Sequence, residues 1–332
     1  MSLDDFLEEW NSPSDSVMLQ TSGSTGAPKR MRAEKSRMRA SALMTCRFLG
    51  LRRGDSALLC MSTDYIAGKM MVVRSLVGGL RLVSVEPSGH PLRGLDTAPD
   101  FAAMIPMQVF NSMQEPRERE MLMQIGNLII GGGSVDEALE AQLRRFPNAV
   151  WSTYGMTETL SHIALRRLSG DQATDFYTPF DGVSVNTDAD GCLVIDAPAV
   201  CPEVLTTNDV AVIEPDGRRF RILGRKDNVI CCAGIKTRME DIERQLGGHI
   251  AAPYMVTKKK DARFGEIIVL LVQADDTSSA RNVCRAVLPK YQQPRLYIKV
   301  KELPLTPTGK PARAEAMKIA ERHDAKDVDS TN

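Results

Sequence analysis

The amino-acid sequence predicts a soluble α/β protein of about two domains, with a small antiparallel sheet between a layered N-terminal part and an α+β C-terminal part. Apolar residues recur at helical spacing over residues 34–49, and strand, helix and strand patterns alternate over residues 57–85. Short β-like runs separated by turn residues follow one another over residues 176–223. A chain of 332 residues that is 43% hydrophobic and 25% charged can bury cores of this extent.

Cysteine and histidine usage argues against a disulfide scaffold and against a zinc site. The seven cysteines form no C-x-x-C pair, and the adjacent Cys231 and Cys232 are typical of reduced thiols in a cytoplasmic protein. The first ten residues, MSLDDFLEEW, are acidic and amphipathic, unlike a signal peptide. No apolar run approaches the length of a membrane span.

The charge is unevenly distributed along the chain, although its net value is zero. Residues 224–332 contain 20 Lys and Arg against 14 Asp and Glu. A basic C-terminal part suits a ligand that carries phosphates, but a solvated basic face is the commoner cause of such a bias. No basic stripe with interleaved aromatic residues is present, so a nucleic-acid partner is not expected.

The first α/β unit begins with a predicted helix over residues 34–49 and a buried strand over residues 57–61. Ser62, Thr63 and Asp64 then resemble a helix cap, followed by a helix over residues 65–76. Gly78 and Gly79 are expected to end this helix before a strand over residues 80–85.

Arg74 lies in this otherwise apolar helix, and two interpretations are open. The side chain can extend along the surface near the end of the helix, where a cation suits the helix dipole. Alternatively, its guanidinium can point into an apolar pocket and bind a carboxylate. Spacing alone favours the surface position, because arginine is rarely buried.

Two further strands are each predicted to run into a turn that could hold a ligand. The strand at residues 128–130 enters Gly131–Ser134 and a helix over residues 135–146, after an apolar strand that ends at Pro106. The strand at residues 149–153 enters the sequence YGMTET. A strand, a glycine turn and a helix let a ring or phosphate meet the backbone, although the glycines could equally form a tight turn with no ligand.

Residues 21–29, TSGSTGAPK, have the composition of a phosphate-binding loop. Glycine allows close backbone approach, successive N–H groups can surround an anion, and hydroxyl groups and Lys29 add donors and charge. The spacing is not that of a Walker A loop. A flexible linker has the same composition, so this loop alone does not decide the function.

The order of the motifs resembles that of the adenylate-forming enzymes, which include acyl-CoA synthetases, nonribosomal adenylation domains and luciferases. TSGSTGAPK resembles their phosphate loop, and residues 154–158 match Y-G-x-T-E. Thr207-Asn208-Asp209 stands where T-G-D is usual, with Asn replacing the glycine of a turn. Residues 224–230 match G-R-x-D-x-x-I, residues 234–243 resemble G-x-K-x-x-x-x-E-I-E, and residues 307–310 end the series as P-T-G-K.

The resemblance implies a role for each matching residue. Tyr154 would pack on the adenine, Thr157 would meet the α-phosphate, and Asp209 and Arg225 would bind the ribose. Lys310 would bridge the acyl carboxylate and the phosphate, while Glu158 with Thr25 would hold Mg²⁺. The other residues expected to bind ATP or AMP are Thr21, Ser22, Gly23, Ser24, Gly26, Lys29, Gly131, Gly132, Gly133, Ser134 and Gly155.

The resemblance also implies the domain organisation. Residues 1–226 would form the core that binds ATP and the acid, and residues 227–332 a mobile lid that turns about Asp227 and presents Gly234 and Lys236 to coenzyme A. The lid would contain helices near 238–246 and 278–288 and strands near 253–257, 266–273 and 295–300. Typical members carry a long lobe before the phosphate loop, so we expect a compact form that lacks much of it.

Within this family, residues 64–83 look most like the o-succinylbenzoate–CoA ligases of menaquinone synthesis. Arg74, Ser161, Gly132 and Gly133 would then bind the acid. The expected reaction uses ATP to convert a carboxylic acid into an acyl-adenylate and then transfers the acyl group to coenzyme A. Two alternatives are adenylation of another acid, for coenzyme A or a carrier-protein thiol, and a non-catalytic nucleotide-binding module.

Overall fold

The computed structural model describes residues 1–20, 30–133, 135–306 and 311–323. Within these ranges the chain forms nine α-helices and four β-sheets, which confirms the predicted combination of α/β layers, a small antiparallel sheet and an α+β C-terminal part. The helices are α1 (Leu3–Asn11), α2 (Lys35–Leu49), α3 (Ile66–Gly78), α4 (Pro106–Gln114), α5 (Pro116–Gln124), α6 (Glu137–Leu143), α7 (Met239–Leu246), α8 (Ser278–Val287) and α9 (Arg313–Arg322).

The strands alternate with these helices in the first half of the chain and then cluster. They are β1 (Ser16–Gln20), β2 (Arg30–Glu34), β3 (Ser56–Leu59), β4 (Arg81–Ser84), β5 (Phe101–Met104), β6 (Asn127–Ile130), β7 (Ala149–Gly155), β8 (His162–Arg167), β9 (Thr178–Pro179), β10 (Ser184–Thr187), β11 (Cys192–Asp196), β12 (Leu205–Ile213), β13 (Phe220–Arg225), β14 (Val229–Cys232), β15 (Ile235–Arg238), β16 (Tyr254–Asp261), β17 (Gly265–Val272) and β18 (Leu296–Lys299).

The largest sheet has seven strands in the order β4-β3-β5-β6-β7-β8-β9. Its first five strands are parallel, and β8 and β9 extend it in antiparallel pairing. Strands β3 and β5 are buried along their whole length, as expected for parallel strands covered on both faces. The carboxyl ends of β5, β6 and β7 lie at one edge of the sheet, which is where ligands bind in open α/β folds.

The predicted small antiparallel sheet is confirmed as β10-β11-β12-β13. The turn expected at Thr207-Asn208-Asp209 is wrong, because these residues lie inside strand β12. Asp209 pairs with Arg225 of β13, and a register irregularity follows between Val210 and Ala211. Asn in place of glycine is therefore tolerated, since the extended backbone requires no left-handed conformation.

The C-terminal part forms the sheet β15-β14-β17-β16, with β18 parallel to β17. Its predicted helices and strands are confirmed with boundaries shifted by a few residues; β16, for example, extends to Asp261. The β14–β15 hairpin and α9 are additional elements. Two apolar clusters contain residues between Phe6 and Phe220, and two others contain residues between Ile230 and Ala320.

Helix α3 differs from its prediction at its start and agrees at its end. Tyr65 is the N-cap residue and makes no side-chain capping bond, so the predicted cap at Ser62–Asp64 is wrong. The Ser62 hydroxyl instead donates to the Asp64 carboxylate at 2.8 Å. Gly79 ends the helix in the left-handed conformation, with φ of 64°. None of the described helices is both long and apolar enough to cross a bilayer.

Arg313 links helix α9 to both α7 and strand β16. Arg313 donates to both carboxylate oxygens of Glu243 on α7, at 2.8 and 2.6 Å, and to the carbonyl of Val256 on β16 at 2.6 Å. The two charged side chains are 20% and 26% exposed. Paired planar hydrogen bonds of this kind are stronger than single surface contacts.

We expect Arg313→Met to lower the free energy of unfolding by about 2 kcal/mol, because charge-assisted bonds are lost and Glu243 keeps its desolvation cost. Lys318→Met, on the same helix, is the matched control, since its bond to Glu315 joins side chains that are 64% and 45% exposed. The control should change stability by less than about 0.5 kcal/mol. Urea denaturation followed by circular dichroism measures both; equal effects of the two substitutions would contradict this role of Arg313.

Candidate functional site

Residues predicted to bind the adenosine are brought into contact from three strands. The Tyr154 hydroxyl, near the carboxyl end of β7, donates to the Asp209 carboxylate at 2.7 Å. Arg225, at the end of β13, donates to the other Asp209 oxygen at 2.9 Å. The second terminal nitrogen of Arg225 donates to Asp227 at 2.9 Å, so the predicted hinge residue is linked to this cluster.

Tyr154 also packs within a group of three aromatic rings. Its ring meets Phe220 edge-on at 5.2 Å between centroids and lies 5.7 Å from Tyr177. Burial, together with the negative charge of Asp209, raises the pKa of Tyr154, so the phenol keeps its proton and remains a donor to that carboxylate. The ring is therefore fixed in position, as a stacking surface for a planar base requires.

The glycine turn after β6 lies against the side chains of neighbouring segments. A Cβ on Gly131 would lie 2.4 Å from the Thr153 hydroxyl oxygen of β7, so a larger residue there would have to displace that side chain. Gly132 has φ of 82°, in the region that favours glycine. Gly133 would allow a Cβ in ordinary contact with Pro106. Close packing against β7 thus accounts for glycine at position 131, and ligand binding by this turn stays a prediction.

Arg74 is buried, and the predicted surface position of its side chain is wrong. The residue is 2% exposed. Its terminal nitrogen donates to the Ser161 hydroxyl at 2.6 Å, and its Nε donates to the Thr45 hydroxyl at 3.3 Å. In the described part of the chain no carboxylate lies within ion-pair distance of this guanidinium. Burial lowers the pKa of Arg74 to about 10, which leaves it cationic at neutral pH.

The turn between β7 and β8 holds Ser161 close to the adenosine cluster. A Cβ on Gly155 would lie 2.3 Å from the Ser161 carbonyl oxygen, so the two ends of the turn are in close contact. The Thr159 hydroxyl donates to this carbonyl at 2.7 Å and accepts from the Met156 amide at 3.1 Å. Leu160 has φ of 64°, unusual for leucine, and its amide donates to the Thr157 carbonyl.

The carboxylate predicted to hold magnesium, that of Glu158, lies on the turn after β7, and the residue is exposed. Among residues 1–20, 30–133, 135–306 and 311–323, no group of three or more His, Cys, Asp or Glu side chains is arranged to hold a metal. Mg²⁺ commonly uses one or two carboxylates together with phosphate oxygens and water.

Two residues that the sequence interpretation missed complete the surroundings of Arg74. His162, the first residue of β8, places Nε2 3.0 Å from the Thr45 hydroxyl and Nδ1 3.2 Å from the Ser161 hydroxyl. Burial, and then the charge of Arg74, hold the pKa of His162 well below its usual value. Thr45 lies on α2, 117 residues from His162, so no local pattern in the sequence connects them.

The remaining predicted site residues fall into two groups. Gly234 and Lys236 lie in the β14–β15 hairpin, and no hydrogen bond or ion pair between described residues joins them to Tyr154, Asp209 or Arg225. The other group lies outside the described residues, and its roles stay predictions. It comprises Thr21, Ser22, Gly23, Ser24, Thr25, Gly26, Lys29, Ser134 and Lys310.

Several known proteins are similar to this chain over most of its length. The curated 2-succinylbenzoate–CoA ligase of Listeria innocua is 24% identical, over 96% of this chain and 72% of that protein. An acyl-CoA synthetase (AMP-forming)/AMP-acid ligase II-like protein from Dyadobacter fermentans has a solved structure that is 33% identical, with a TM-score of 0.65, over 94% of this chain and 92% of that chain.

The fold is shared with another solved enzyme at lower identity. The O-succinylbenzoate coenzyme A synthetase of Bacillus subtilis, solved with ATP and magnesium ion, is 20% identical with a TM-score of 0.74, over 90% of this chain and 69% of that chain. The model of the AMP-binding enzyme family matches residues 3–191, more than half of the sequence. The chain therefore belongs to the AMP-binding enzyme family, the adenylate-forming ligases.

Proposed function

We propose that this protein activates o-succinylbenzoate with ATP and transfers the acyl group to coenzyme A, as in menaquinone biosynthesis. The observation that carries the proposal is Arg74, a buried cation with hydroxyl partners and no carboxylate partner among the described residues. It lies beside the turn that bears Thr157 and Glu158. An acid with a second negative group would supply the missing counter-charge.

The chemistry of this acid matches such a site. o-Succinylbenzoate has a succinyl carboxylate, which reacts, and an aromatic carboxylate, which stays charged. An apolar pocket would bury the aromatic ring but would disfavour an unpaired anion. Arg74 with Ser161 offers a guanidinium and a hydroxyl for the aromatic carboxylate, and Gly132 and Gly133 would line the ring.

The reaction has two steps. The succinyl carboxylate attacks the α-phosphorus of ATP, and pyrophosphate leaves as the acyl-adenylate forms. The thiol of coenzyme A then attacks the acyl carbon and AMP leaves. The residues assigned to phosphate binding are Thr21–Gly26 and Lys29, while Glu158 and Thr25 would hold Mg²⁺, which neutralises phosphate charge. Thr157 and Lys310 would stabilise charge that develops during adenylation.

The proposal includes a lid, residues 227–332, that turns about Asp227 relative to a core of residues 1–226. The division of the apolar clusters between Phe220 and Ile230 supports this boundary. Asp227 is held by Arg225 and by Asn208, at 2.9 and 3.1 Å. These two contacts are exposed, so breaking them costs little compared with unpacking either set of clusters. In the second step the lid would bring Gly234 and Lys236 to coenzyme A.

A product assay tests the proposed function. The protein is incubated with ATP, Mg²⁺, coenzyme A and a panel of carboxylic acids that includes o-succinylbenzoate, and thioesters are identified by mass spectrometry. We expect o-succinylbenzoyl-CoA and AMP as the main products. Preferred use of another acid, or adenylate that reacts only with a carrier-protein thiol, would replace the substrate assignment. Absence of adenylate with every acid would favour a nucleotide-binding module.

Arg74→Gln should raise the KM for o-succinylbenzoate and leave the KM for ATP almost unchanged. Loss of a charged hydrogen bond to a buried partner costs about 2–3 kcal/mol, or around a hundredfold in kcat/KM. An analogue without the aromatic carboxylate should be a poor substrate of the native enzyme and should be penalised much less by the substitution. Steady-state kinetics with both acids measures this difference.

Arg47→Gln, at an exposed position on α2, is the matched control and should change neither KM. If Arg74→Gln affected the two acids equally, the second-carboxylate role of Arg74 would be wrong.

Lys310→Ala and Asp227→Pro should separate the two steps of the reaction. Lys310→Ala removes a cation needed only for adenylation, so that step should slow by roughly two to three orders of magnitude while preformed acyl-adenylate is still converted to thioester. Asp227→Pro fixes a backbone angle that the hinge must change, so adenylation should persist and thioester formation should be lost. Single-turnover assays of each step measure both effects.

Lys301→Ala, an exposed lysine at the end of the C-terminal sheet, is the control for charge and should affect neither step. Equal loss of both steps in Lys310→Ala, or thioester formation at the native rate in Asp227→Pro, would contradict the lid proposal.

A further inference from the structure

We propose that His162 is a positioning residue for the acid, and that its neutral imidazole moves its single proton from Nε2 to Nδ1 when a carboxylate binds Arg74. In the acid-bound arrangement the Ser161 hydroxyl is free to donate to that carboxylate. This inference rests on the proposed function and assigns roles to His162 and Thr45 that go beyond it.

Hydrogen bonds connect the side chains of Arg74, Ser161, His162 and Thr45 in a ring. Arg74 donates to the hydroxyl oxygens of both Ser161 and Thr45. His162 lies between the same two hydroxyls, 3.2 Å from Ser161 through Nδ1 and 3.0 Å from Thr45 through Nε2. The Thr45 hydroxyl is also 3.2 Å from the Ser41 carbonyl, one helical turn earlier. Each hydroxyl therefore has several partners for a single proton.

Without an acid, one proton arrangement satisfies all four of these side chains. Ser161 accepts from Arg74 and donates to Nδ1 of His162. The imidazole carries its proton on Nε2 and donates to Thr45, which in turn donates to the Ser41 carbonyl. In this arrangement the proton of Ser161 is directed at His162 and is not available to a ligand.

With an acid, the reverse arrangement serves the carboxylate. The imidazole carries its proton on Nδ1 and donates to Ser161, whose hydroxyl then donates to the carboxylate beside Arg74. Thr45 now donates to Nε2, and the Ser41 carbonyl keeps its helical amide partner. His162 holds one proton in both arrangements, so the protein gains no charge and the carboxylate gains a second donor.

A doubly protonated imidazole is disfavoured at this position. Burial and the nearby charge of Arg74 hold the pKa of His162 low, so the cation does not form at neutral pH. Among the residues that the structure describes, Cys46 is a further titratable group beside Arg74, and burial raises its pKa, so the thiol stays neutral. The histidine thus acts through a neutral ring that can accept or donate at either nitrogen.

The direct test is nitrogen NMR of the full chain labelled at histidine with ¹⁵N. The resonances of His162 are assigned by their loss in His162→Gln. We expect the protonated nitrogen to be Nε2 in the free protein and Nδ1 after o-succinylbenzoate is added. The analogue without the aromatic carboxylate should leave the proton on Nε2. The same tautomer in all three samples would overturn the inference.

Kinetics supplies a second test that a merely structural role would not satisfy. His162→Leu should raise the KM for o-succinylbenzoate about threefold to tenfold, with kcat and the KM for ATP little changed, because the Nδ1–H donor that directs the Ser161 hydroxyl toward the carboxylate is lost. His162→Asn, whose side-chain amide can take the place of Nδ1–H and donate to Ser161, should recover part of the loss. The matched control His249→Leu changes an exposed histidine and should have no effect.

The outcomes separate this inference from the proposed function. If native protein makes no thioester from o-succinylbenzoate, the proposed function fails and the inference fails with it. If native protein is active but His162→Leu penalises both acids equally, only the role of His162 is overturned. If the His162→Leu protein loses its folded circular dichroism signal, the tautomer measured by NMR in the native protein decides the inference.

Discussion

The charge of Arg74 is the constraint on which the candidate site depends. A guanidinium removed from water loses much of its solvation, and neutral hydroxyls replace that solvation only in part. Helix α3 carries the residue into the protein, while α2 and the β7–β8 turn supply Thr45 and Ser161. A positive site of this kind is costly for a folded protein, and an anionic substrate offsets the cost by pairing with it.

The acid side and the nucleotide side of the site are joined through one short turn. Tyr154 at its start belongs to the Asp209–Arg225 cluster, and Ser161 at its end bonds Arg74. The close approach of Gly155 to the Ser161 carbonyl keeps the two ends together. In the proposed reaction the carboxylate meets the α-phosphate between these two groups, so the turn sets the distance over which the acid must reach.

Much of the fold was predictable because it follows local patterns. The apolar spacing of residues 239–246 predicts helix α7, and the turn residues between short apolar runs predict the strands from β10 to β13. The orientation of Arg74 was not predictable, because residues 68–75 of α3 are all buried and no polar face marks an inward direction. His162 and Thr45 could not be connected, since tertiary packing alone brings β8 to α2. The turn predicted at Asn208 is not formed, because strand β12 continues through this residue and pairs with β13.

The most direct measurement of the central claim is a crystal structure of the protein with o-succinylbenzoate and a non-hydrolysable ATP analogue. We expect the aromatic carboxylate within hydrogen-bond distance, about 2.7–3.2 Å, of the Arg74 guanidinium and the Ser161 hydroxyl. The succinyl carboxylate should then point toward the α-phosphate beside Tyr154 and Thr157. An aromatic carboxylate in solvent, with Arg74 still bonded only to Thr45 and Ser161, would contradict the account.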